Sequence, residues 1–75
     1  MNAEMKYLVV IEKGPKSFGA FVPDLPGCVA VAKTRPAVER LIREAINLHL
    51  QAMQDSGEPP PRPAAASAYV RAKVA

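Results

Sequence analysis

The chain has one cysteine, one histidine and no tryptophan among its 75 residues. A lone Cys28 excludes an internal disulfide framework and any zinc site built on clustered cysteines. A lone His49, with no carboxylate pair at ligand spacing around it, does not make a metal centre or a general base; it is read as a structural histidine bonded to backbone. Rings are scarce as well. Tyr7, Phe18, Phe21 and Tyr69 are scattered, whereas a platform for single-stranded RNA needs adjacent exposed rings interleaved with basic residues. Long apolar runs are missing. Tyr7–Ile11 and Cys28–Ala32 fall far short of the ~18–20 residues of a membrane span, and Glu12 and Lys13 close the first run too early for a signal-peptide core. No block of like charge occurs either. The net charge of +3 comes from ten Lys/Arg against seven Asp/Glu, spread along the chain, so a phosphate-tracking surface is not implied. A short chain without staples is expected in the cytoplasm, soluble, with oligomerisation supplying the burial that its size withholds.

What is present is the composition of one small folded domain, 49% hydrophobic and 23% charged. Lys6–Lys13 reads as a first strand, apolar on both faces and so expected inside a sheet covered on both sides. Gly14–Ser17 is a hairpin connection and Phe18–Val22 a short second strand. Pro23–Gly27 is a turn in which two prolines fix φ and a glycine reverses direction, and Cys28–Ala32 is a third strand. Thr34 caps a helix that tolerates Pro36 in its first turn and runs to about Asp55, with Gly57 as terminator and Pro59 beyond it. Its apolar positions Val38, Leu41, Ile42, Ala45, Ile46, Leu48, Leu50 and Met53 cover roughly 200° of the circumference, twice the ~100° minimum stripe of a surface helix. The margins, Leu48 and Leu50, are therefore expected to touch something besides one sheet face. Pro59, Pro60, Pro61 and Pro63 make a polyproline II spacer. Ala68–Val74 then alternates strictly, as a half-exposed edge strand does. The expected class is α+β in the order β-β-β-α-β: a three-stranded antiparallel sheet packed on one helix, with a C-terminal edge strand. The divisions are 1–58 for the α+β domain, 59–67 for the Pro/Ala-rich linker, and 68–75 for the last strand, paired in its own sheet or in a partner's.

Three stretches of the chain together resemble the N-terminal domain of HicB-like antitoxins. They are Tyr7–Lys13 followed by Phe18–Ala30, then Arg43–Leu50, then Asp55–Pro60 at the helix exit. Pro23-Asp24-Leu25-Pro26-Gly27 between two apolar strands is the most specific part. The resemblance spans roughly residues 6–63. It implies a degenerate RNase H-like fold and a partner, a small HicA-like toxin with a double-stranded-RNA-binding-domain-like fold that cleaves mRNA and is blocked when bound. It also places the catalytic histidine on that toxin, so neither a catalytic residue nor a cofactor or metal is expected here. Many members continue into a helix-turn-helix or ribbon-helix-helix domain. This chain stops at Ala75, so direct DNA binding is only a minor reading. Thr34–Glu39 also departs from the acidic helix start common in the family.

Four residues are expected at a partner interface: Glu12, Asp24, Tyr69 and Arg71. Glu12 and Asp24 would steer an encounter with the basic surface of an RNA-cleaving toxin, although the Asp24 carboxylate could instead close its own turn. Tyr69 and Arg71 belong to the last strand, which would either complete its own sheet or add to a neighbour's. Cys28, with no base or helix N-terminus beside it, reads as a small buried apolar residue. The leading expectation is an antitoxin that occludes a HicA-like toxin and forms a homo-oligomer, dimer or tetramer, burying an otherwise bare sheet face around Leu8 and Val10. Two other classes stay open: an orphan oligomeric binding module without a toxin, and a weak metal-dependent nuclease relying on carboxylates such as Glu12 and Asp24.

Overall fold

The computed structural model describes residues 4–75. Three short strands, β1 (Val10–Lys13), β2 (Phe18–Phe21) and β3 (Val29–Ala32), are followed by one helix, α1 (Arg35–Asp55). The sheet is antiparallel in the order β1-β2-β3. Val10, Phe21 and Val29 share one rung, Ile11, Ala20 and Ala30 the next, and Glu12, Gly19 and Val31 the third. Because side chains alternate across a strand, successive rungs face opposite sides. Ile11 and Ala20 look toward the helix, while Val10, Phe21, Val29 and Val31 look away from it.

The core is small: Ala20, Val22, Leu25, Cys28, Val38 and Ile42 are buried, and Tyr7, Val9, Ile11, Phe18, Ile46 and Leu50 pack around them. Leu25 reaches it from the Pro23–Gly27 turn. Backbone bonds set that turn, from Leu25 N–H to the Val22 carbonyl and from Cys28 N–H to the Leu25 carbonyl, both 3.0 Å. Gly27 closes it at φ 85°, a conformation that a Cβ disfavours.

Both helix ends follow the sequence signals. The Thr34 hydroxyl accepts from Ala37 N–H at 3.2 Å, and a proline occupies the first turn. At the other end Glu58 N–H donates to the Met53 carbonyl and Gly57 N–H to that of Gln54, with Gly57 at φ 77°. That pair of bonds is a Schellman stop. Thr34→Ala is expected to cost about 0.5–2 kcal/mol, the usual worth of an N-cap, read as a lower urea midpoint with unchanged slope. The helix lies over β3 and β2 but not over β1.

Four expectations are corrected. The first strand is shorter than Lys6–Lys13, since β2 offers only four ladder partners before Pro23. It lies at an edge rather than inside the sheet; it is apolar on both faces because one row borders the helix side and the other the open face. Leu50 packs on its own core whereas Leu48 stays exposed. Last, the C-terminal strand of the expected β-β-β-α-β order is not formed within this chain. Residues 68–74 join no ladder and are exposed along their length. Alternation favours an extended chain but does not supply a hydrogen-bonding edge, and the segment before this one leads it away from the sheet. The Cα radius of gyration is accordingly 14.6 Å, against about 11 Å for a compact domain of this length.

Candidate partner interface

Residues 59–65 do not form a free linker. The segment belongs to no helix or strand, so its backbone polar groups are open to side chains, and two side chains hold it. The Tyr7 hydroxyl donates to the Pro61 carbonyl at 2.6 Å. The Asp24 carboxylate accepts from Ala64 N–H at 3.0 Å and from Ala65 N–H at 3.1 Å through the same Oδ2. Tyr7 lies just before the start of β1 and Asp24 just after the end of β2, so both clasps stand at one end of the sheet. Between Pro61 and Ala64 an extended chain travels about 9 Å, close to two strand spacings. The segment is thus a strap across the sheet end, running from the helix exit past β1 to the β2–β3 turn.

Asp24 therefore neither closes its own turn nor stands free. Replacing it with alanine removes both bonds. Asp24→Ala is expected to cost about 1–2 kcal/mol, since the lost bonds are charge-assisted but partly hydrated. Amide exchange should accelerate at Ala64 and Ala65 and stay unchanged in α1.

Two surfaces remain uncovered. The outer sheet face carries Val29 and Val31, 64% and 67% exposed, beside Phe21 and Val10. Glu12 stands on that face, exposed, in the same rung as Val31. The second surface is a cleft of about 460 Å³ between β1 and the helix, bordered by Tyr7, Val9, Ile11, Ile42 and Ile46. It opens because α1 leaves β1 uncovered. A larger cleft of about 900 Å³ continues from it along the helix toward Leu50, Pro59 and Pro60. Beyond the strap, Tyr69 is fully exposed and Arg71 is exposed with it.

The remaining candidates do not form a reactive site. His49 is half-buried on α1, and its imidazole makes no hydrogen bond with any described residue, so the expected backbone partner for the ring is not found. Cys28 is buried, and desolvation pushes its thiol above its usual value, so it stays protonated and inert at neutral pH. Among the described residues no three His, Cys, Asp or Glu side chains converge as a metal site would require. Glu12 and Asp24 are not brought together: Asp24 lies beyond the Val10–Phe21 end of the ladder, turned to the strap, and Glu12 lies inside the ladder. Also among the described residues, no helix is long and apolar enough to cross a membrane.

Sequence reasoning missed the two clasps. Tyr7 reads as a core ring, and no spacing rule links it to Pro61, 54 residues away. The available signal was chemical: a run of prolines offers carbonyls with no N–H beside them, and the alanine amides that follow are open to side-chain acceptors.

Residues 7–73 match the family described as HicB-like antitoxin of bacterial toxin–antitoxin systems. The chain belongs to this family. Among solved structures it is similar to a chain of a HicA3 and HicB3 toxin–antitoxin complex, with a TM-score of 0.67 and 28% identity over 80% of this chain and 70% of that one. Among curated proteins it is 49% identical over 41 residues to a UPF0150 protein of Helicobacter pylori strain J99. That match covers 55% of this chain and 57% of the relative, so the chain spans little more than half the length of that relative. The HicB-like membership agrees with the three antiparallel strands and single helix seen here.

Proposed function

We propose that this HicB-like chain is a cytoplasmic antitoxin subunit that binds a HicA-like mRNA-cleaving toxin and occludes it sterically, without catalysis of its own. Two facts support the reading: family membership across residues 7–73, and a fold shared with a chain of a solved toxin–antitoxin complex. The observation that carries it to a surface is the outer sheet face, where exposed Val29, Val31 and Phe21 lie beside Glu12. An RNA-cleaving partner is expected to be basic. An apolar patch flanked by a carboxylate is the complement of such a surface, the apolar part giving affinity and the charge giving steering. Glu12 is then a direct contact, and Asp24 contributes by holding the strap. Tyr69 and Arg71 belong to an interface between copies of this chain.

The test is co-expression with a HicA-like toxin, read by growth rescue and by co-elution in size exclusion. A stable complex that restores growth supports the proposal. A folded chain that neither binds nor rescues overturns it and leaves an oligomeric binding module without a toxin.

A further inference from the structure

The outer face of the sheet has a gap at its centre. Gly19 stands in the middle strand, paired with Glu12 on β1 and with Val31 on β3, at a position whose side chain would point away from the helix. A glycine costs a strand both conformational entropy and side-chain packing. It is kept in a strand interior where the backbone turns unusually or where something comes close. Neither reason is met within this chain. Among the described residues the glycines with positive φ are Gly27 and Gly57. A Cβ at Gly19 would meet no heavy atom within 4 Å, its chain neighbours aside, whereas one at Gly14 would meet the Ser17 carbonyl at 3.3 Å.

The residues around the gap differ in chemistry. Glu12 and Val31 flank it across the sheet, and Phe21 follows two positions along β2 on the same face. Neighbouring strands stand about 4.8 Å apart, so Glu12 and Val31 are separated by about 10 Å with only the Gly19 backbone between them. That is room for the stem of one side chain. Val31 is 67% and Phe21 38% exposed, so both offer apolar surface beside the gap. Glu12 is the one charged ladder residue on this face, and no cation of the described residues pairs with it. An apolar trough that ends at a free carboxylate suits a long side chain with an apolar stem and a cationic head.

We infer that Gly19 is the seat for one arginine or lysine side chain of the protein partner, laid over the Gly19 backbone beside Val31 and Phe21 with its head on the Glu12 carboxylate. This rests on the toxin-binding reading above and adds the residue type that the surface selects. The seated stem keeps water from the charge pair and so strengthens it. Any side chain at position 19 would fill the same space, so Gly19 sets specificity by what it leaves out. A partner that presents no protruding basic residue here leaves Glu12 unpaired beside a void, which counts against it.

The test titrates the full chain with an inactive HicA-like toxin variant by calorimetry, beside urea melts of each chain. Gly19→Val should keep or raise the urea midpoint, because the position is open and valine favours strands. It should also weaken toxin binding by at least about tenfold, the scale of one central contact, with Gly19→Ala in between. Glu12→Gln should weaken binding in the parent chain and change nothing further in Gly19→Val, since both remove the same contact. A parent chain that binds no toxin removes the toxin-binding reading and this inference together. A parent that binds, with Gly19→Val binding as tightly, overturns the inference alone. So do additive losses at the two positions, which would put the Glu12 contact elsewhere. So does a Gly19→Val chain whose midpoint falls along with its binding, which would make Gly19 a folding residue.

Discussion

Leu25→Ala is expected to bring the domain to the edge of unfolding. The side chain is 1% exposed, in a core that has only six buried residues among those described. Truncating a buried leucine costs about 2–5 kcal/mol, through lost transfer energy and the cavity left behind. A chain of this size holds few kcal/mol in reserve. At about 4–8 °C per kcal/mol for a domain this small, the melting temperature should fall by at least about 8 °C. Thermal melts followed by far-ultraviolet circular dichroism measure it. Pro26, next in the chain, is exposed. Pro26→Ala acts mainly by freeing the unfolded chain, about 0.4–1 kcal/mol. The comparison separates two roles within one turn. If Leu25→Ala melted within a few degrees of the parent, the turn would not be part of the core. Loss of toxin neutralisation in Leu25→Ala would then have to come from contact rather than from folding.

That turn also shows what was legible in the sequence. Pro23-Asp24-Leu25-Pro26-Gly27 marks a reversal by local chemistry alone, and Thr34, Pro36 and Gly57 mark the helix ends in the same way. Such signals act over a few residues, and the three strands and the helix follow from them. The outer face was legible too, because one helix covers one side of a sheet. What did not follow was everything decided by distant residues. The Asp24 carboxylate has partners 40 and 41 positions away, and the Tyr7 hydroxyl one 54 away. No periodicity encodes those bonds. The fate of Ala68–Val74 depends on them, since the strap fixes where the tail emerges. Alternation alone therefore did not decide whether the tail would join the sheet of its own chain. The sequence likewise showed too wide an apolar stripe on α1 but not that the surplus would border a cleft at β1. That depends on where the helix sits across the sheet.

Val29→Lys with Val31→Lys is expected to abolish toxin neutralisation while the domain stays folded. Both valines are about two-thirds exposed, and neither belongs to the buried core. Lysine on an exposed strand face costs only the modest difference in β-propensity, within about 1 kcal/mol. In a complex the same positions would be desolvated against a basic partner. Each substitution then removes an apolar anchor and sets a cation against like charge, together worth on the order of 3–4 kcal/mol. That corresponds to roughly 10²–10³-fold weaker binding, measured by titration calorimetry against an inactive toxin variant, with growth rescue as the cellular readout. Glu12→Lys probes the electrostatic part separately. Glu12 is exposed and makes no ion pair among the described residues, so reversal should leave stability unchanged, slow association and lessen its dependence on salt. The two variants divide the interface between burial and steering. If Val29→Lys with Val31→Lys bound toxin as tightly as the parent, the outer face would not be the occluding surface.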